Sequence, residues 1–135
     1  MLLELRRAHD VLLSCLDELE RLTLDDTLDR AKLANIRWKL SKASAERRKR
    51  VDAACDYLSM HSATSIDRDR VAALRADIAE NVAASSSHVR RWSMDQVLID
   101  WDGYRAASAT LRKAMRGRIL QEQRALYPLL ERAAA

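Results

Sequence analysis

The chain has 135 residues, 33% of them charged, with a net charge of +4 and only two glycines, one proline and no phenylalanine. Sheets need Gly- and Pro-rich turns and strands rich in β-branched and aromatic residues, so this composition excludes a sheet protein and points to an all-α fold. One domain over residues 1–135 suits the length, and no run approaches the ~18 apolar residues of a membrane span.

Apolar periodicity divides the chain into four predicted helices. The first covers about residues 2 to 23, with Leu2, Leu5, Leu12, Leu16 and Leu19 on one stripe. TLDDT then offers Asp and Thr for a turn and an N-cap before a second helix at roughly 27 to 60. HSATSIDRD separates this from a third helix at roughly 67 to 99, which holds the serine run 85 to 87. DWDGY, with Gly103, precedes a fourth helix at roughly 103 to 133. Short connections make neighbouring helices antiparallel, so the expected architecture is an up-down-up-down four-helix bundle.

The informative residues are polar ones on inward faces. Positions 2, 5, 9, 12, 16 and 19 of the first helix alternate spacings of three and four, and His9 is the one that is not leucine. On the second helix Leu33, Leu40, Val51, Ala54 and Leu58 define the stripe, and Arg47 falls within ~20° of its centre. On the fourth helix Met115, Ile119, Leu126, Leu129 and Leu130 define the face, with Glu122 near its middle and Arg118 at its flank. The third helix offers Val71, Leu74, Ile78, Val89, Trp92 and Ile99, with Asn81, Ser85 and Gln96 as softer members and His88 at the edge. At ~1.5 Å per residue, the heights of His9, Arg47 and Glu122 in an antiparallel bundle differ by less than ~10 Å, so they can share one layer. The same geometry places Cys15 and Cys55 roughly 20 Å apart, too far for a disulfide. Unpaired cysteines, without CxxC or secreted spacing, suit a reducing cytoplasm, and MLLELRRAHD lacks the layout of a signal peptide.

His9 early in the first helix, with Glu122 followed by Gln-Arg-Ala-Leu-Tyr and Pro128 near the end of the last, resembles the hemerythrin-like (HHE cation-binding) family. That resemblance implies a four-helix bundle around a non-haem di-iron centre, used for oxygen binding or for redox or iron sensing, with His9 and Glu122 among the metal ligands. The chain departs from the pattern elsewhere. Arg118 stands where the last His-x-x-x-Glu motif has its histidine, Arg47 and Val51 replace the corresponding pair on the second helix, and the third helix lacks its histidine. Two bridged irons need about five to seven N and O ligands, and a guanidinium stays protonated and repels a cation. The expectation is therefore a buried polar cluster of His9, Arg47, Arg118 and Glu122 in the volume of the ion, with the arginines and His9 satisfying Glu122. The alternative is retained non-haem iron, with His61, Asp77 or His88 completing the ligands.

The segment 37 to 51 carries Arg37, Lys39, Lys42, Arg47, Arg48, Lys49 and Arg50 against Glu46. It is a solvated helix face in the simplest reading and a nucleic-acid surface in a weaker one. Trp92, Trp101 and Tyr104 are expected to pack at the last corner. No catalytic constellation is evident. The expected function is a non-enzymatic binding, regulatory or structural module without a cofactor, open to a protein partner or a homodimer.

Overall fold

The computed structural model describes residues 1–134, apart from the side chains of residues 81 and 83. Those residues form five helices and no strand: α1 Leu2–Leu24, α2 Arg30–His61, α3 Ser65–Arg91, α4 Met94–Ile99 and α5 Trp101–Ala134. The all-α expectation holds, with one more helix than the periodicity implies.

Each break has a local chemical cause. The Thr23 hydroxyl donates to Leu19 O and Glu20 O at 3.0 Å, taking up carbonyls that α1 leaves without partners, and Asp25 then turns extended. Asp25 Oδ1 accepts from Thr27 N at 3.0 Å, so Thr27 belongs to the turn. Asp29 is the N-cap of α2, accepting from Lys32 N at 3.1 Å, and the helix begins later than residue 27. Thr64 caps α3 in the same way, through Asp67 N at 3.1 Å.

The largest departure lies in residues 67 to 99, which are not one helix. Trp92 leaves α3 at φ −106° and ψ 64°, and Ser93 starts α4 by accepting from Gln96 N at 3.2 Å. Trp92 is buried, so an apolar stripe runs through the break and conceals it. Ser93 decides the matter with Asp95 in the first turn, a capping arrangement that favours a new N-terminus. The serines at 85 to 87 remain helical.

Between α4 and α5 the break is a single residue. Asp100 Oδ1 accepts from Gly103 N at 2.9 Å, so most of DWDGY is already helical. A Cβ at residue 103 would displace this carboxylate from its capping position. Pro128 lies inside α5. It removes the hydrogen bond to Arg124 O, and both residues are exposed, leaving that carbonyl to water.

α1 packs most extensively on α2 and also against α5. α3 touches the same two helices, and α2 and α5 touch each other. α1 and α3 therefore flank an α2–α5 pair, and α4 lies against α5. Two apolar cores result. One gathers Leu12, Leu16, Leu19, Leu33, Ile36, Tyr104 and Ile119; the other gathers Leu5, Val51, Ala54, Leu58, Val71, Leu74 and Leu126. Cys15 belongs to the first and Cys55 to the second, both unpaired. No helix among the described residues is long and apolar enough to cross a membrane.

α3 is the loosely seated member. Val71 and Leu74 are buried near its start, but Val89 and, on α4, Ile99 are 65% and 78% exposed. The inward stripe proposed through residues 67 to 99 thus fails at these two positions. The Asn81 side chain lies outside the described residues.

Candidate functional site

Between the two cores sits a polar layer. His9 of α1, Arg47 of α2 and Glu122 of α5 are 0%, 4% and 0% exposed. Each occupies a position that helical spacing assigns to the core, so burying the leucines around them draws the three inward together. Arg47 donates from Nε to Glu122 Oε1 at 2.8 Å and from a terminal nitrogen to Oε2. This is the two-point contact that a planar guanidinium makes with a carboxylate. His9 Nε2 donates to Oε1 at 2.9 Å. Its Nδ1 lies 2.6 Å from the Tyr127 hydroxyl.

The protonation pattern follows from these partners. Burial alone would raise the Glu122 pKa, but the hydrogen bonds from His9 and Arg47, with the charge of Arg47, hold it below the usual carboxylate value. Glu122 is therefore an anion, and His9 Nε2 must carry a proton to donate to it. In the neutral imidazole, Nδ1 is then the acceptor for Tyr127 O–H. Every polar atom of the Glu122 carboxylate and the His9 ring is engaged.

The structure joins His9, Arg47 and Glu122 by hydrogen bonds and leaves Arg118 out of that group. Arg118 makes no hydrogen bond or ion pair among the described residues, and its Nε is shielded from solvent without a partner. Burial, and next the neighbouring Arg47 charge, lower its pKa, while Glu122 raises it. The reason is geometric. Arg118 precedes Glu122 by one turn, the less favourable order for a pair four apart, and its Cβ leans toward the helix N-terminus, away from Glu122. Arg47 arrives from a facing helix and takes both oxygens.

These residues do not fit an iron pair. Both nitrogens of His9 and both oxygens of Glu122 are already committed, and Arg47 brings a positive charge to the same point. Among the described residues, no three His, Cys, Asp or Glu side chains converge on a position that could hold a metal ion. The alternative ligands lie elsewhere. His61 is exposed, stacked on Tyr57 at 4.4 Å between ring centres, with Nδ1 2.9 Å from Tyr57 O. Asp77 is exposed and accepts from Gln121 Nε2 at 2.9 Å. His88 is half-buried, 6.0 Å from the Tyr104 ring; desolvation and then Arg37 push its pKa down.

Next to the layer is a cavity of about 410 Å³ between α2, α3 and α5. Arg47 and Arg118 form part of its wall, as do Leu40, Ile78, Val82 and Met115. On the α3 side it is edged by Val82 and Val89, which are 44% and 65% exposed.

Three features escape the sequence reading. Tyr127 completes the layer, although the sequence marks it only as part of the Leu-Tyr-Pro ending. Arg112, 6% exposed, donates to Thr23 Oγ1 at 3.0 Å and Ser108 Oγ at 2.7 Å. Spacings of three and four from Tyr104 through Ser108, Arg112, Met115 and Ile119 place it on the core face; that signal is present in the sequence. The cavity has no such signal.

The basic segment of α2 is not one surface. Arg47 is buried, Arg37 donates to Trp92 O, Lys42 lies 4.4 Å from the Trp38 ring centre, and Arg50 pairs with Glu46 at 2.8 Å. The aromatic trio packs as expected, with Tyr104 5.7 Å from Trp92 and 5.9 Å from Trp101. Comparison with protein-family models, with curated proteins and with solved structures returns no match to this chain.

Proposed function

We propose that this chain is a hemerythrin-like four-helix bundle in which a buried ion pair occupies the volume of the metal, and that it works as a non-enzymatic binding or regulatory module. On this reading α1, α2, α3 and α5 are the four helices of the bundle, and α4 is an added turn at its last corner. His9, Glu122 and the Leu-Tyr-Pro128 ending carry the ancestry.

One observation carries the proposal: Glu122, the one carboxylate in the layer, is taken up by Arg47 and His9. A guanidinium there neutralises the carboxylate that a cation would otherwise need and adds its own repulsion. What the layer offers in place of ion chemistry is rigidity, since a fully satisfied polar network specifies one register of the surrounding helices. The two free, buried cysteines suit a reducing cytoplasm.

The test is elemental analysis with an absorption spectrum, on protein expressed in iron-supplemented medium. Substoichiometric iron and no visible band are expected. About two irons per chain with oxo-bridged charge-transfer bands, as in a di-iron bundle, would sink the proposal.

A further inference from the structure

We propose that the cavity between α2, α3 and α5 binds a small amphipathic carboxylate, with its headgroup on Arg118 and its tail against the apolar wall.

Arg118 is the first reason. Among the described residues the other half-buried arginines all have partners: Arg37 on Trp92 O, Arg50 on Glu46, Arg75 on Asp52 and Asp56, Arg105 on Thr23 O, and Arg116 on Asp17 and Glu20. Arg118 alone has none, although its Nε is out of reach of water. Shutting one guanidinium donor away from water without an acceptor costs free energy; Arg75 Nε and Arg112 Nε share that state, but their terminal nitrogens are partnered, whereas those of Arg118 are not. Glu122 cannot serve, because Arg47 and His9 occupy it.

The cavity wall is the second reason. Among the described residues it includes Arg37, Arg48, Arg118, His88 and Arg47 (already paired with Glu122), and no Asp or Glu, so its field favours an anion over a metal cation. The rest of its wall combines Leu40, Ile78, Val82, Val89, Leu111 and Met115 with the small polar Ser41, Ser44, Ser85 and Ser86. Val82 and Val89 are 44% and 65% exposed. Burying them against a ligand tail would recover apolar area that α3 leaves open. A volume of about 410 Å³ lies within the ~300–1,000 Å³ usual for small-molecule sites.

These features choose among anions. Inorganic phosphate or acetate would leave the apolar wall uncovered. A neutral lipid would leave Arg118 unpaired. A nucleic-acid strand needs an open stacking row, and Tyr104 is already packed between Trp92 and Trp101. One unengaged guanidinium matches one carboxylate in a two-point contact.

This inference rests on the binding-module reading, but not on how the layer came to exclude an ion. Iron content tests that question separately, so the two can fail independently. The experiment is calorimetric titration of the full chain with decanoate, with decanol (tail without charge) and acetate (charge without tail) as controls. Saturable one-to-one binding of decanoate is expected, with decanol and acetate each much weaker. Arg118→Met should weaken decanoate binding by ~10–100-fold, the effect of losing a hydrogen bond between charged groups. It should unfold at a temperature no lower than the parent, since no partner is lost. Val89→Asp, an exposed position in the wall, should also weaken binding. Absence of saturable binding, equal affinity for decanol, unchanged affinity in Arg118→Met or Val89→Asp, or a lowered unfolding temperature in Arg118→Met would each overturn the proposal.

Discussion

Replacing Glu122 by Ala removes the only anion in the layer among the described residues and strands Arg47, whose side chain is 5% exposed. Arg47 loses a two-point contact and His9 its Nε2 acceptor. Breaking one partner out of a buried ion pair costs ~3–5 kcal/mol, because the remaining charge stays desolvated. That is a large part of the ~5–15 kcal/mol that holds a domain together. At this chain length, each 1 kcal/mol moves the unfolding midpoint by ~3–5 °C, so a fall of ~9–25 °C is expected. Urea unfolding followed by tryptophan fluorescence and circular dichroism gives the free energy directly. The triple replacement His9→Leu, Arg47→Met, Glu122→Leu removes the three buried polar groups together, leaving only the half-buried Tyr127 hydroxyl, and should be close to neutral or stabilising, as buried pairs exchanged for apolar groups often are. A loss below ~1 kcal/mol in Glu122→Ala would refute the desolvation reasoning, since surface pairs cost that little.

Three further outcomes follow from the same contacts. Tyr127→Phe leaves His9 Nδ1 without its hydroxyl and should cost ~1 kcal/mol by urea unfolding, with helical content unchanged. Asp100→Ala removes the cap that holds Gly103 N and should cost ~1 kcal/mol, together with fraying at the start of α5 seen by amide exchange. Glu122 titrates below its ordinary value of 4.5. Its stabilisation is therefore complete above pH 4.5 and is lost as pH falls through the lower folded-state pKa. Glu122→Gln should flatten that acid limb of the stability profile, and a limb of unchanged steepness would count against an ionised Glu122.

Much of the layer is legible in the sequence because burial in a helix is an angular property. His9, Arg47 and Glu122 fall on leucine-rich stripes at heights that coincide in an antiparallel arrangement, and the structure brings them together. Arg118 shows the limit of that reasoning. An angle says which face a residue occupies, but not along which direction its side chain leans or which rival reaches the acceptor first. The break at Trp92 was concealed for a related reason: an inward tryptophan continues the apolar stripe while the Ser93 cap ends the helix. Tyr127 lies off the core face and reaches His9 through the length of its side chain, a contact that spacing along one helix does not report. The cavity depends on how far α3 stands from α2 and α5, a distance set by tertiary packing and not by any local pattern.

The most direct test of the proposal that an ion pair stands in place of a metal is thermal unfolding with and without a large excess of ferrous iron under anaerobic conditions. An ion that binds only the folded state at 100 times its dissociation constant would add ~2.7 kcal/mol of stability, a shift easily resolved. An unfolding temperature unmoved by iron is expected, because Arg47 already holds the carboxylate the ion would need. A saturable rise that disappears in Glu122→Gln would contradict the proposal and make Glu122 a metal ligand.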